Sequence, residues 1–218
     1  GRAMMILGLT GSIGMGKSTA AGMFRALRIP VHDSDAEVHR LLAPAGRAVE
    51  AVERAYPGIM ADGGIDRAAL RERVFGNSKA LARLEDIIHP MVADVRNRFL
   101  ARCASRRTAL VVLDIPLLFE TKNHRYCDVI LVVTAPSYLQ RARVLARPGM
   151  TAEMLAEILA RQMPDAEKRR RADFVVSSNL GRGVTLRQLK EIVRLLSKRR
   201  GGKWPPPSYL PIRNRPHA

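Results

Sequence analysis

Four things are scarce in this chain. Cysteine occurs twice in 218 residues, at Cys103 and Cys127. No CxxC pair and no local histidine spacing accompanies them, which excludes a local zinc module. Both stand in apolar or helical surroundings and read as reduced, structural thiols of a cytoplasmic protein. Long apolar runs are missing too: none approaches the ~20 residues that span a bilayer. The apolar start, MMILGL, is too short for a signal peptide and runs straight into a glycine loop. Residues 1–3 read as an extension ahead of Met4 or Met5. Aromatic residues make up only 5%. There is no RNP string, no helix-turn-helix and no stacking platform for nucleic acid, and Trp204 reads as an edge contact. Acidic residues number 20 against 37 lysines and arginines, a formal charge of +17. That excess favours anionic partners, whether nucleotides, nucleic acid or anionic lipid, without ranking them.

What is present is a core. Apolar residues reach 47%, well away from the disordered class. The length suits one α/β domain with a large insertion. Short apolar runs at 4–9, 29–32, 109–113, 129–133 and 174–176 read as buried strands. Helical stretches at 18–27, 36–42 and 184–197 fall between or after them. Pro136 opens a further helix, and Thr151 caps another toward Gln162. Between about Ala45 and Ala104 strand signal fades. Asp66 is placed to cap a helix over 67–74, and Ser78 one over 79–101 that Pro90 must kink or divide. Strands alternating with helices predict a parallel sheet covered on both faces. The basic, proline-rich tail from Lys198 (KWPPPSYLP) reads as flexible or loosely docked.

The strongest motif is Gly11-Ser12-Ile13-Gly14-Met15-Gly16-Lys17-Ser18, followed by Thr19. It fits G-x-x-x-x-G-K-[ST] between an apolar strand and a helix. Glycines let backbone N–H groups turn inward around phosphate oxygens, and the helix N-terminus faces the same anion. Lys17 is placed to reach the β and γ phosphates, and Ser18 to hold Mg²⁺. The motif alone does not separate kinases, GTPases and motor ATPases. N-K-x-D, D-x-x-G and LSGGQ-like strings are all absent, which leaves a small kinase acting on a small acceptor.

Other candidates read two ways. Asp33 and Asp35 end the second strand, where open parallel sheets place their ligands. Asp35 is either a base for an acceptor hydroxyl or a helix N-cap. Asp114 ends the strand VVLD and is either a support for Mg²⁺ or a solvated strand end. Arg143 and Arg147, spaced i, i+4, are either lid arginines or a solvated basic face. His89 reads by itself as a packed or capping residue. A nucleoside kinase, a nucleic-acid-stimulated ATPase and a nucleotide-binding pseudokinase are the competing functions.

Several strings in order decide among them. After the glycine loop come DSDAEVHRLLAP, LEDIIHPMV, VLDIPLLFE, CDVILVV, RVLARPGMT and QMPDAEKRRRADFVV. From Met4 to about Leu196 the chain resembles the dephospho-coenzyme A kinase family. The resemblance implies an α/β, P-loop kinase-like three-layer fold with a five-stranded parallel sheet, a helical substrate-binding insertion and a helical lid. The corresponding segments are a core at 4–34, 105–139 and 163–197, an acceptor region at 35–104, a lid at 140–162 and the tail at 198–218. It implies ATP-dependent phosphorylation of the ribose 3′-hydroxyl of dephospho-CoA. Asp35, Lys17 and Arg143 become the catalytic set. The cradle residues Gly11 to Thr19, with Arg143, Arg147 and Asn179, become the ATP site. Asp33, Asp35, His39, His89, Pro90 and Leu117 become the acceptor site. Ser18 and Asp114, the latter through water, become the Mg²⁺ supports. The implied partners are ATP and dephospho-CoA, with no nucleic acid and no membrane, in a monomer or weak oligomer. The chain also departs from the pattern. Ile158 stands where many members carry arginine, with Arg161 almost one turn later. SSNLG replaces a D-N-x-G-like loop, and His39 sits where arginine is frequent.

Overall fold

The computed structural model describes residues 3–206. The expectations for residues 1, 2 and 207–218 lie outside the described residues. By compactness the chain divides in two. One unit takes the chain up to His32 and again from Arg102; the other is Asp33–Ala101.

The first unit is built on a five-stranded parallel sheet. Its strands are β1 (Met5–Thr10), β2 (Val31–Asp33), β5 (Leu110–Asp114), β6 (Val129–Thr134) and β7 (Phe174–Ser177), in the order β2-β5-β1-β6-β7. The expected runs were right within one or two residues. β1 reaches one residue further than the apolar run because Thr10 still pairs with Val132. β1 and β5 are buried along their whole length, as strands covered on both faces must be. Helices α1 (Lys17–Ala26) and α9 (Arg182–Leu196) bury Phe24, Leu189 and Leu196 against Leu7, Leu131 and Val176. The remaining helices of this unit are α6 (Ser137–Leu145), α7 (Ala152–Arg161) and α8 (Asp165–Arg171).

Two aspartates set the register of the last two strands by the same device. Asp128 precedes β6; its N–H donates to the Ile6 carbonyl at 2.8 Å, and its Oδ2 accepts from the Ile6 N–H at 2.8 Å. Asp173 precedes β7 and exchanges the same two bonds with Ile130, at 2.9 and 2.8 Å. Each carboxylate satisfies a strand N–H where the ladder begins. The other oxygen of Asp128 accepts from the N–H groups of Gly202 and Lys203, at 2.6 and 3.0 Å. Gly201 also donates to the Ala3 carbonyl at 3.2 Å. The described start of the tail is therefore tied to the sheet rather than loosely docked, because Asp128 has acceptor capacity to spare.

The second unit is mainly helical: α2 (Ser34–Leu42), α3 (Val49–Ala55), α4 (Arg67–Val74) and α5 (Ser78–Ser105), whose last residues belong to the first unit. A short antiparallel pair, β3 (Met60–Ala61) and β4 (Gly64–Ile65), was not expected. Two-residue strands leave no period to read. Leu41, Val52, Tyr56, Ile59, Leu70 and Ile88 form its core. Asp66 caps α4 as expected, through the N–H groups of Ala68 and Ala69. Ser78 does not cap α5: Asn77 Oδ1 accepts from the Ala80 N–H at 3.0 Å, so Ser78 is already helical. Pro90 does not divide α5, which continues through it. Among the described residues no helix is long and apolar enough to cross a membrane.

Asp128→Ala should destabilise the protein by about 2 kcal/mol, since it leaves a partly buried strand amide without its acceptor. Urea unfolding measures this, and a change under about 0.5 kcal/mol would reject the anchoring role.

Candidate active site

The glycine loop leaves the end of β1 and turns directly into α1. Gly14 and Gly16 sit at φ 74° and 95°, a region L side chains rarely adopt. Space forbids side chains as well: a Cβ on Gly14 would stand 2.5 Å from Val144 Cγ2, and one on Gly16 2.9 Å from Ser178 Cβ. The start of α1 has no side-chain cap. Its first amides are thus available to an anion at the loop. Ser18 and Thr19 are exposed in that first turn.

Lys17 Nζ lies 2.5 Å from Asp114 Oδ1. β5 pairs with β1 so that Asp114 stands opposite Leu9, which places the carboxylate beside the loop. Asp114 is 2% exposed, which overturns its reading as a solvated strand end. A carboxylate that deep needs a cation, and Lys17 supplies one. The Ser18 hydroxyl and the Asp114 carboxylate are hard oxygen donors, the kind Mg²⁺ takes in small number beside phosphate oxygens.

Arg143 is not part of a solvated face. Its Nη1 donates to Ser178 Oγ at 2.8 Å and to the Gly14 carbonyl at 3.4 Å; its Nη2 donates to the Ser178 carbonyl at 3.3 Å. Arg147 does not share its helix, because α6 ends at Leu145 and Arg147 is exposed in the turn that follows. The glutamines were missed. Gln140 Nε2 donates to the Ile13 carbonyl at 2.8 Å, and Gln162 Oε1 accepts from the Ile13 N–H at 3.2 Å. Ser178 Oγ donates to the Met15 carbonyl at 2.8 Å. Gln162 stands in the quoted Q-M-P string, yet nothing in a string tells what an amide will meet. Asn179 is exposed, and its Oδ1 accepts from the Ser177 hydroxyl.

Two of the motif strings meet in space. Glu120, the last residue of PLLFE, accepts from the Met163 N–H at 2.8 Å and lies 3.0 Å from Lys168 Nζ, whose side chain is 0% exposed. Burial pushes the Glu120 carboxyl up. Bonds from the Glu120 and Met163 amides and from Lys168 outweigh that, and hold it below its ordinary value of 4.5. Leu117, the second residue of PLLFE, is exposed.

In the second unit the cap question has a definite answer. Asp33 Oδ1 accepts from the Ala36 N–H at 3.0 Å, so Asp33 caps α2 and Asp35 lies inside its first turn. The N-cap reading of Asp35 is thereby overturned. Asp35 and His39 are one turn apart on α2, both exposed. His39 Nδ1 is 2.9 Å from Arg67 Nη1, so an arginine stands beside the histidine here. His89 and Pro90 are exposed on α5.

An open parallel sheet, a glycine cradle at the end of its central strand and a lysine paired with a buried aspartate define a P-loop kinase fold. The profile of the dephospho-CoA kinase family matches residues 5–182. Dephospho-CoA kinase of Paramagnetospirillum magneticum is 56% identical over 193 residues, covering 88% of this chain and 91% of that protein. The Mesorhizobium japonicum enzyme of the same name is 52% identical, covering 91% of this chain and 100% of its own. Among solved structures, TT1252 from Thermus thermophilus aligns with a TM-score of 0.77 at 36% identity, covering 89% of this chain and 99% of that one. The chain belongs to the dephospho-CoA kinase family.

Glu120→Gln should cost about 3 kcal/mol near neutral pH, because Lys168 keeps a buried charge without its counterion. The Glu120 carboxyl is depressed in the folded state. Its contribution is therefore present above the unfolded value and lost as pH falls through the folded one. The gap between wild type and variant should close below pH 4.5. Urea melts across that range would reject the pairing if the gap did not narrow.

Proposed function

We propose that this protein transfers the γ-phosphoryl group of ATP to the ribose 3′-hydroxyl of dephospho-CoA, giving coenzyme A and ADP, the last step of coenzyme A synthesis. The observation that carries the reading is the glycine cradle whose lysine is held on a buried strand-end carboxylate. Family membership across most of the chain supports the acceptor.

The cradle from Gly11 to Thr19 holds the donor phosphates, and Lys17 and Arg143 neutralise the charge that spreads over the transferring group. Arg147 joins them from the turn after α6, and Asn179 borders the adenine end. Asp35 takes the proton of the 3′-hydroxyl as its oxygen attacks phosphorus; the bond from phosphorus to the β–γ bridging oxygen breaks, and ADP departs. The reading of Asp35 as base is supported by its place in the first turn of α2, where Asp33 already serves as cap. Mg²⁺, held by Ser18 and through water by Asp114, would supply charge neutralisation on the phosphate oxygens. Asp33, His39, His89, Pro90 and Leu117 bind the acceptor, and we take residues 35–104 as the acceptor-binding region. Residues 140–162 act as a lid, and residues 4–34, 105–139 and 163–197 as the nucleotide-binding core. Both substrates are polyanions, which suits the net charge of +17. We take the protein to act in the cytoplasm, as a monomer or weak oligomer; neither cysteine forms a disulfide.

Coupled ADP release should show turnover with dephospho-CoA and none with AMP, CMP or UMP. Asp35→Asn should lower kcat by about 10²- to 10⁴-fold while the KM for ATP stays near wild type. Near-normal kcat in that variant removes Asp35 as the base, and no wild-type turnover of dephospho-CoA removes the acceptor. Chelation of divalent cations should abolish turnover, and activity retained in excess chelator would reject the role of Mg²⁺.

A further inference from the structure

Three consecutive carbonyls of the glycine cradle are each held by a side chain from outside it. Ile13 C=O accepts from Gln140 Nε2 at 2.8 Å, Gly14 C=O from Arg143 Nη1 at 3.4 Å, and Met15 C=O from Ser178 Oγ at 2.8 Å. The donors come from α6 and from the turn after β7. The Ile13 N–H is tied as well, to Gln162 Oε1 at the end of α7.

The geometry of the peptide bond gives this arrangement a consequence. In a trans peptide the C=O and the next N–H point in opposite directions. A carbonyl tied to α6 or to Ser178 therefore turns the following amide to the other side. The amides so turned are those of Gly14, Met15 and Gly16. Met15 spends its N–H across the loop, on the Ser12 carbonyl at 3.2 Å, which tightens the turn. Gln140 is 7% exposed, so its amide has been drawn out of water to make this bond. A buried amide keeps such a place only where its hydrogen bonds are made. Ser178 does two things with one hydroxyl: its hydrogen goes to Met15, and its lone pair accepts from Arg143.

We propose that Gln140, Gln162 and Ser178 are positioning residues for phosphoryl transfer: Gln140 and Ser178 hold the Ile13 and Met15 carbonyls and Gln162 holds the Ile13 N–H, so that the amides of Gly14 and Gly16 are aimed before the nucleotide arrives. The inference rests on the donor-site reading above and extends it to residues outside the glycine motif. A glycine-rich loop without these ties would have to be ordered by the nucleotide itself, and the entropy of ordering would weaken binding. The frame also marks which part of the 140–162 segment is anchored. Gln140 and Gln162 lie at its two ends, and both hold the same residue, Ile13.

Two substitutions remove the ties without opening much space: Gln140→Met, close in volume but with no donor, and Ser178→Ala. Titration calorimetry with ADP, with no acceptor present, should show each variant binding about threefold to tenfold more weakly, the worth of one hydrogen bond. Initial rates should show the KM for ATP raised in proportion and the KM for dephospho-CoA within about twofold of wild type. A role confined to folding would lower the melting temperature and the active fraction, hence kcat, and leave ADP affinity alone. ADP affinity unchanged in both variants would overturn the inference while the wild type still turned over dephospho-CoA. Wild-type turnover of a different acceptor would overturn the acceptor reading alone.

Discussion

The loop at the end of β1 has no room for a side chain at Gly11, Gly14 or Gly16, and the rest of the first unit is arranged around that constraint. Val144 and the Gln140 carbonyl of α6 close on Gly14, and Ser178 closes on Gly16. Glycine at these points has two effects. It permits the positive φ angles that turn the amides, and it lets α6 and the turn after β7 approach closely enough to bond the loop carbonyls. Lys17, next in sequence, is then delivered to the end of β5, where Asp114 holds it. A phosphate site made of backbone amides is only as good as the surroundings that keep the backbone still.

The same economy of parts recurs away from the cradle. PLLFE and QMPDAEK are separate strings joined by one carboxylate, since Glu120 bonds the Met163 amide and pairs with buried Lys168. Asp128 and Asp173 each start a strand by giving the neighbouring strand's amide a charged acceptor. Side chains whose residue types suggest surface or catalytic work are here spent on backbone groups. That is the usual destination of side-chain hydrogen bonds in folded proteins.

Much of this was legible beforehand. The five strands were found because buried parallel strands are short apolar runs with β-branched residues, and these were flanked by glycine and aspartate signals. The phosphate cradle was legible because its function requires glycines and a lysine at fixed spacing. Helix starts were read less well. Asp33, Asp35 and Asn77 show why: several polar residues near a boundary can each cap, and the choice depends on where the preceding strand lets go of the chain. Ser34 to Leu42 and Ser78 onward each begin one residue or more before the reading placed them. The face shared by Arg143 and Arg147 failed for a related reason, since α6 stops between them.

By itself the sequence determined the fold class, the donor cradle and, through its ordered strings, the family. These follow from local composition and spacing, which survive any rearrangement of distant parts. Only the tertiary structure decided that Asp114 is buried against Lys17, that Glu120 pairs with Lys168, and that Gln140, Gln162 and Ser178 hold the cradle. Those partners lie between 48 and 163 residues apart in the chain. No local pattern specifies a bond across such a distance. It exists because the strand order brings the ends of β1, β5, β6 and β7 side by side, and a polar group buried there must find a partner.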